Sequence, residues 1–142
     1  MSDEKARLEA NKAVIRRYFE TVASEGFPKG LELVAEDATW WMPGVDRDLG
    51  KADMVAATSR AADSMVGNMR ADILTMTAED DRVAAEVQGH SLRKSGARYD
   101  NIYHFLFRVR DGKIVEVREH HDTLYASQVF ADGLGGGAPP AS

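Results

Sequence analysis

Apolar and polar side chains alternate along two runs between residues 97 and 123, and the runs meet at Asp111-Gly112. Strict alternation with Val, Ile, Phe and Tyr marks half-buried strands. An Asp-Gly pair between such runs marks a tight turn, because Gly takes positive φ at little cost. The pattern predicts a long hairpin at the centre of the fold. On its first strand Tyr99, Asn101, Tyr103, Phe105 and Phe107 share one face, and Asp100, Ile102, His104, Leu106 and Arg108 share the other. On the returning strand Val115, Val117, Glu119 and His121 form one row, and Ile114, Glu116, Arg118, His120 and Asp122 form its opposite. The row with Glu116 and Arg118 reads as solvated, so Val115, Val117 and Glu119 are expected inside. That places one carboxylate at the end of an apolar row, where lost solvation raises a carboxyl pKa toward the range of a general acid or base.

The upstream chain changes period. Val14, Ile15, Tyr18, Phe19 and Val22 recur at helical spacing, predicting a long amphipathic helix over residues 4–24 that ends near Gly26. Pro28 opens a shorter helix running to about Val34. Ala38 to Met42 reads as a short strand broken by Pro43-Gly44, and 45–50 as loop. Ala52 to Met65 is expected to be helical. Arg70–Thr77 and Arg82–Leu92 are expected to be strands joined at Glu79-Asp80-Asp81, with a further turn at Ser95-Gly96. A helical turn follows Asp122 as far as Phe130. The remainder, ADGLGGGAPPAS (131–142), reads as a disordered tail.

Helices early and strands late predict an α+β fold in one domain over residues 1–130. The strands are long, and long strands in a twisted sheet curl. A strongly curved, mostly antiparallel sheet wrapped around the N-terminal helices is therefore expected, forming a conical barrel with an apolar pocket.

Composition narrows the partners. With 44% hydrophobic residues among 142, an ordinary core is available. The formal charge is −5 and the basic residues form no block, which argues against nucleic acid. There is no cysteine, so disulfide and thiolate chemistry are excluded. The four histidines match no zinc spacing and read as surface or core residues, although His104 and His120-His121 meet across the hairpin. No apolar run approaches the ~20 residues of a membrane helix, and no secretion signal is visible, so a cytoplasmic protein without cofactor is expected.

Three motifs carry a resemblance: AVIRRYFETVASEG, LVAEDATWWMPG and RVRDGKIVEVREHHD. From about Lys12 to Thr123 the chain resembles the nuclear-transport-factor-2-like superfamily, and within it the SnoaL-like and ketosteroid-isomerase-like proteins. The resemblance implies a cone-shaped α+β fold. It leaves the reaction open among isomerases, polyketide cyclases, epoxide hydrolases, dehydratases and non-catalytic binders. It implies that Tyr18 stands where steroid isomerases place an oxyanion-donating tyrosine, and that Met42 stands where they place the catalytic aspartate. Glu119 falls where polyketide cyclases and limonene-type epoxide hydrolases carry a catalytic aspartate, with Arg118 at the hydrolases' preceding arginine. The hydrolases' Arg-x-Asp pair is not evident, since Arg98-Tyr99-Asp100 has the spacing in another register.

The candidate catalytic residues are therefore Glu119, to move a proton, and Tyr18, with the Tyr103 hydroxyl as a second donor to developing enolate charge. Candidate ligand-binding residues are Trp40, Met42, Asn101, Tyr103, Phe105, His121 and Asp122. The competing readings are an ion-paired Glu119 at a strand end, a core tyrosine at position 18, and an Asp122 that only caps the terminal helix. An imidazolium at His121 would lower the acid's pKa, opposing desolvation. The expected function is cofactor-free acid–base chemistry on an apolar polyketide- or steroid-like carbonyl compound. The alternative is a non-catalytic binder of a small apolar or aromatic ligand. The outer row Ile102, His104 and Leu106 is apolar enough to seek cover, which predicts a homodimer through the outer face of the sheet.

Overall fold

The apolar stripe of the first helix decides how the sheet is wrapped. In a computed structural model, which describes residues 2–130, helix α1 spans Asp3–Glu25 and buries Val14, Ile15, Tyr18, Phe19 and Val22. The Ser2 hydroxyl caps its start by accepting from the Lys5 N–H (3.2 Å). Gly26, at φ 93°, ends it with an N–H donated to the Val22 carbonyl. Phe19 reaches Phe105 and Phe107, with ring centroids 5.6 and 6.1 Å away, and so fixes α1 to the concave side of the hairpin.

The chain continues through α2 (Phe27–Gly30), a 3-10 turn (Leu31–Leu33), β1 (Val34–Trp41), β2 (Leu49–Gly50) and α3 (Lys51–Asp63). Then come β3 (Met65–Glu79), β4 (Arg82–Arg93), β5 (Ile102–Arg110), β6 (Lys113–His121) and α4 (Thr123–Val129). The strands form one sheet in the order β2-β1-β6-β5-β4-β3. Only β1 and β6 run parallel; the other neighbours are antiparallel. The expected α+β cone is present, with its curved sheet open between the edge strands β2 and β3 rather than closed into a barrel. The segment expected to be a disordered tail, 131–142, lies outside the described residues.

The central turn is as the sequence predicts: Asp111 and Gly112 both take positive φ, 51° and 75°. The inward row of β6 is not. Pairing runs Arg108↔Glu116 and then Val109↔Ile114, so Val115 is skipped in a bulge. Ile114 is fully buried and Val115 only half-buried, which corrects the expected row to Ile114, Val117, Glu119. Two further differences have local causes. β3 starts five residues before Arg70, carried by Gly67 at φ 71° and a register shift between Val66 and Arg70. The expected 45–50 loop contains the two-residue strand β2, which pairs with Thr39 and Trp40.

The approach of α2 to α1 depends on Gly30. A Cβ added there would stand 2.4 Å from Val22 Cγ2 and 3.5 Å from Tyr18 Cε1. Gly30→Ala should therefore lower stability by about 1–3 kcal/mol. In chemical denaturation, adding Val22→Ala should give a double variant destabilised by less than the sum of the single changes. Strict additivity would show that this contact is not the constraint.

Candidate active site

The sheet register stacks the inward side chains in layers. Phe107 faces Val117, which pairs with Trp40; Phe105 faces Glu119; Tyr103 faces His121 and Val87. The Phe105–Glu119 and Tyr103–His121 layers form one wall of a cavity of about 120 Å³, with Phe107 and Val117 packed beyond it. An apolar cavity of ~150 Å³ is enough for one benzene ring. Phe19, Phe27 and Phe130 supply more aromatic wall, and Met42, Met54, Met65 and Met69 supply a flexible one.

Glu119 is the carboxylate in this wall, its side chain 13% exposed. The indole N–H of Trp40 donates to its Oε1 at 3.2 Å. Its Oε2 stands 3.0 Å from Nδ1 of His121, whose side chain is 3% exposed. That second approach has the distance of an ion pair without hydrogen-bond alignment, so Nδ1 is a buried nitrogen with no hydrogen-bond partner. Trp40, expected only as wall, thus also holds the acid.

Three tyrosines surround the carboxylate. Burial pushes the Tyr18 hydroxyl well above the usual tyrosine range, and the charge on Glu119 adds to the shift. Tyr103 is pushed well up by burial first, then by Tyr99 and Glu119. Tyr99 is raised by burial, opposed by hydrogen bonds from Asn101 and Tyr103. All three are neutral hydroxyls at ordinary pH, and in the resting protein the single Tyr103 proton is given to Tyr99. Tyr103 is set by stacking on Phe105 (5.4 Å, 12°), and Phe105 in turn stacks on Phe107 (5.1 Å, 22°). Its ring lies over Gly89, where a Cβ would come within 3.0 Å of Cε2.

The structure brings Glu119, Tyr18, Trp40, Met42, Tyr103, Phe105 and His121 together around the cavity. It does not place Asn101 or Asp122 there. The Asn101 amide donates to the Tyr99 hydroxyl (2.8 Å) and the Asp122 carbonyl (3.0 Å), and its Oδ1 accepts from the Ile102 and Asp122 N–H groups. Its bonding capacity is spent in tying β5 to the end of β6 and holding Tyr99 in position. Asp122 is an exposed N-cap, accepting from the Tyr125 N–H at 3.0 Å. Arg98 and Asp100 pair with each other at the surface, and Arg118 lies outside, 4.5 Å from the Trp41 ring. His104 and His120 are neighbours on the outer face. Among the described residues no group of His, Asp and Glu side chains is placed to hold a metal, and no helix is long and apolar enough to cross a membrane.

Sequence reasoning missed Tyr99, Ser91, Arg93 and three of the four lining methionines, Met54, Met65 and Met69. Arg93 is 4% exposed and lines the cavity, with Nη1 donating to the Val129 carbonyl and the guanidinium 4.7 Å from the Phe130 ring. The signal was the alternation of β4, whose inward row Val83, Ala85, Val87, Gly89, Ser91 continues to Arg93.

With the cone and its acid-bearing cavity in view, the class follows. The family model for the SnoaL-like domain matches residues 15–117, and the chain belongs to that family. No curated protein matches it in sequence. Among solved structures, Bal32a from a soil-derived mobile gene cassette is 29% identical, with 87% of this chain and 98% of that one covered and a TM-score of 0.71. PrhC from Penicillium brasilianum is 15% identical over 89% and 91% of the two chains, TM-score 0.79. A protein of Jannaschia sp. CCS1 with the provisional name SnoaL-like polyketide cyclase is 18% identical over 99% and 100%, TM-score 0.74. At these identities the last two speak to the fold.

The buried hydroxyls set an alkaline limit. Their folded-state pKa values are raised, so the stability they carry is complete below the unfolded value of 10.0 and is lost as pH rises through the folded values. Absorbance titration at 295 nm should show Tyr18 and Tyr103 ionising only as the protein unfolds. Tyr18→Phe should weaken the fall in stability above pH 10.0. An unchanged slope would contradict this placement.

Proposed function

We propose that this chain is a small-molecule enzyme performing cofactor-free acid–base chemistry of the isomerase, cyclase or dehydratase type on an apolar polyketide- or steroid-like carbonyl compound. One observation carries the reading: a carboxylate, largely buried and bonded to an indole, faces an aromatic cavity ringed by three neutral tyrosine hydroxyls. Cofactor-free proton transfer from carbon needs one positioned base and a donor aimed at the oxyanion that forms. Glu119 is the base. Tyr18 is the donor, with Tyr103 as a second once its hydroxyl turns from Tyr99 to the oxyanion, and burial keeps both protonated. Trp40, Met42, Phe105 and His121 hold the flat, apolar body of the ligand. The polyketide cyclase name of the Jannaschia relative supports the substrate class.

A second reading rests on Met42. By the resemblance to the steroid isomerases it stands where they carry their base, and a non-catalytic binder of the same fold needs no base at all. The two separate in one assay with 5-nitrobenzisoxazole, a flat aromatic carbon acid with a single abstractable proton. The enzyme reading expects saturable ring opening, with Glu119→Gln lowering turnover by about 10²–10⁴-fold. A folded Glu119→Gln variant that keeps the full rate removes Glu119 as base, and binding without turnover favours the binder.

The active species is a homodimer through the outer face of the sheet, where Ile102 is half exposed beside His104 and Leu106. Sedimentation velocity at tens of micromolar should show a dimer that Ile102→Glu dissociates. A monomeric wild type would rule the dimer out.

A further inference from the structure

The reading of Glu119 as base leaves one feature of the cavity unused. Nδ1 of His121 is buried, 3.0 Å from Glu119 Oε2, and makes no hydrogen bond. A polar atom sealed away in this state is costly and calls for an explanation, of which a catalytic role is one. The other carboxylate oxygen is not available to it, because Oε1 is engaged by the Trp40 indole. Positions 119 and 121 share one face of β6, so both groups border the same cavity, and the His121 ring is steadied by Tyr103 at 6.0 Å.

We propose that His121 is the proton-exchange partner of Glu119, so that the proton taken from one atom of the substrate is returned to another from the far nitrogen of the imidazole. This rests on the acid–base function proposed above and adds the route that the proton follows. In the first step a substrate C–H bond breaks, its electron pair stays on the substrate as an enolate held by tyrosine hydroxyls, and an O–H bond forms at Glu119 Oε2. A small turn of the imidazole brings Nδ1 into line with that new hydroxyl, 3.0 Å away, and gives it the partner it lacks in the resting protein. In the second step the Oε2–H bond breaks as Nδ1–H forms. The Nε2–H bond breaks in turn, and its proton is captured by the electron pair at the second substrate atom. Charge and atoms balance with no oxidant or reductant, and the ring recovers its starting tautomer by exchange with water after product leaves. Two proton positions on one strand suit a reaction that removes hydrogen at one carbon and places it elsewhere. A lone carboxylate would have to swing between them, and the Trp40 bond opposes that swing.

The test uses cyclohex-3-enone, a small apolar ketone whose isomerisation to the conjugated enone moves a hydrogen from the α- to the γ-carbon. In deuterium oxide the exchange pair delivers a proton from Nε2, which has equilibrated with solvent, so the wild-type product should carry deuterium at the γ-carbon. His121→Gln and His121→Phe leave Glu119 to return the proton that it took, so the product should lose that deuterium and keep protium. A purely structural histidine would change the rate and leave the isotope content alone. A wild type that returns protium, or folded His121 variants with wild-type deuterium content, overturns the proposal. So does a wild type that opens 5-nitrobenzisoxazole through Glu119 yet does not isomerise this ketone. The underlying reading fails separately, if Glu119→Gln keeps its full rate with 5-nitrobenzisoxazole.

Discussion

The hydrogen bond from the Trp40 indole to Glu119 is the constraint on which the site depends. A carboxylate set among Phe105, Val117 and Tyr103 loses water and gains nothing unless a donor replaces it. The donor comes from the neighbouring strand, because β1 and β6 lie parallel with Trp40 paired to Val117. That register brings the indole alongside the acid two residues further along β6. It depends in turn on bulges in both pairings of β6, which skip Val115 and let Ile114 face the core while Val117 and Glu119 keep their side. The same interaction thus joins the parallel strands, seats the acid at the cavity and leaves one oxygen facing His121.

The cavity is smaller than the ~300–1,000 Å³ common for drug-sized ligands. Its walls answer that difference. Four of the six methionines in the chain line it, at positions 42, 54, 65 and 69. Methionine is unbranched and yields at low cost. On the proposed function a polyketide- or steroid-sized ligand enters by moving this side of the pocket. The side with Tyr103 is held more tightly, since its ring lies over Gly89 and stacks on Phe105, which is backed in turn by Phe107. On that proposal the chemistry sits on the tighter wall and the selectivity on the soft one.

Much of this was legible in the chain. Helical spacing in α1 located Tyr18 and Phe19 on the buried stripe, the Asp111-Gly112 turn with its alternating strands oriented Glu119 inward, and the resemblance to the steroid isomerases placed Trp40 and Met42 on the inward face of the first strand. Parity failed where the backbone breaks its own period: a bulge at Val115 swapped it with Ile114, and Gly67 let β3 begin early without an unbroken alternation to mark it. Polar residues on inward rows were misjudged for a different reason. Asn101 has the right parity, but it spends its bonds on Tyr99 and the chain around Asp122 instead of the cavity. Trp40 as a donor to Glu119 was not legible, because that contact joins strands 79 residues apart through a register that local pattern does not encode. Arg93 fell just past the expected end of its strand at Leu92, yet β4 keeps its alternation one residue further.

The central claim is that Glu119 faces an apolar cavity beside neutral tyrosine donors. A crystal structure with 2-naphthol, a flat stand-in for an enolate, tests it most directly. The account predicts the ring against Trp40 and Phe105, its oxygen at ~3 Å from the Tyr18 or Tyr103 hydroxyl, within ordinary O–H···O reach, and the Glu119 carboxylate at its edge. A Glu119 side chain turned to bulk solvent, or a ligand bound only outside the cone, would contradict it.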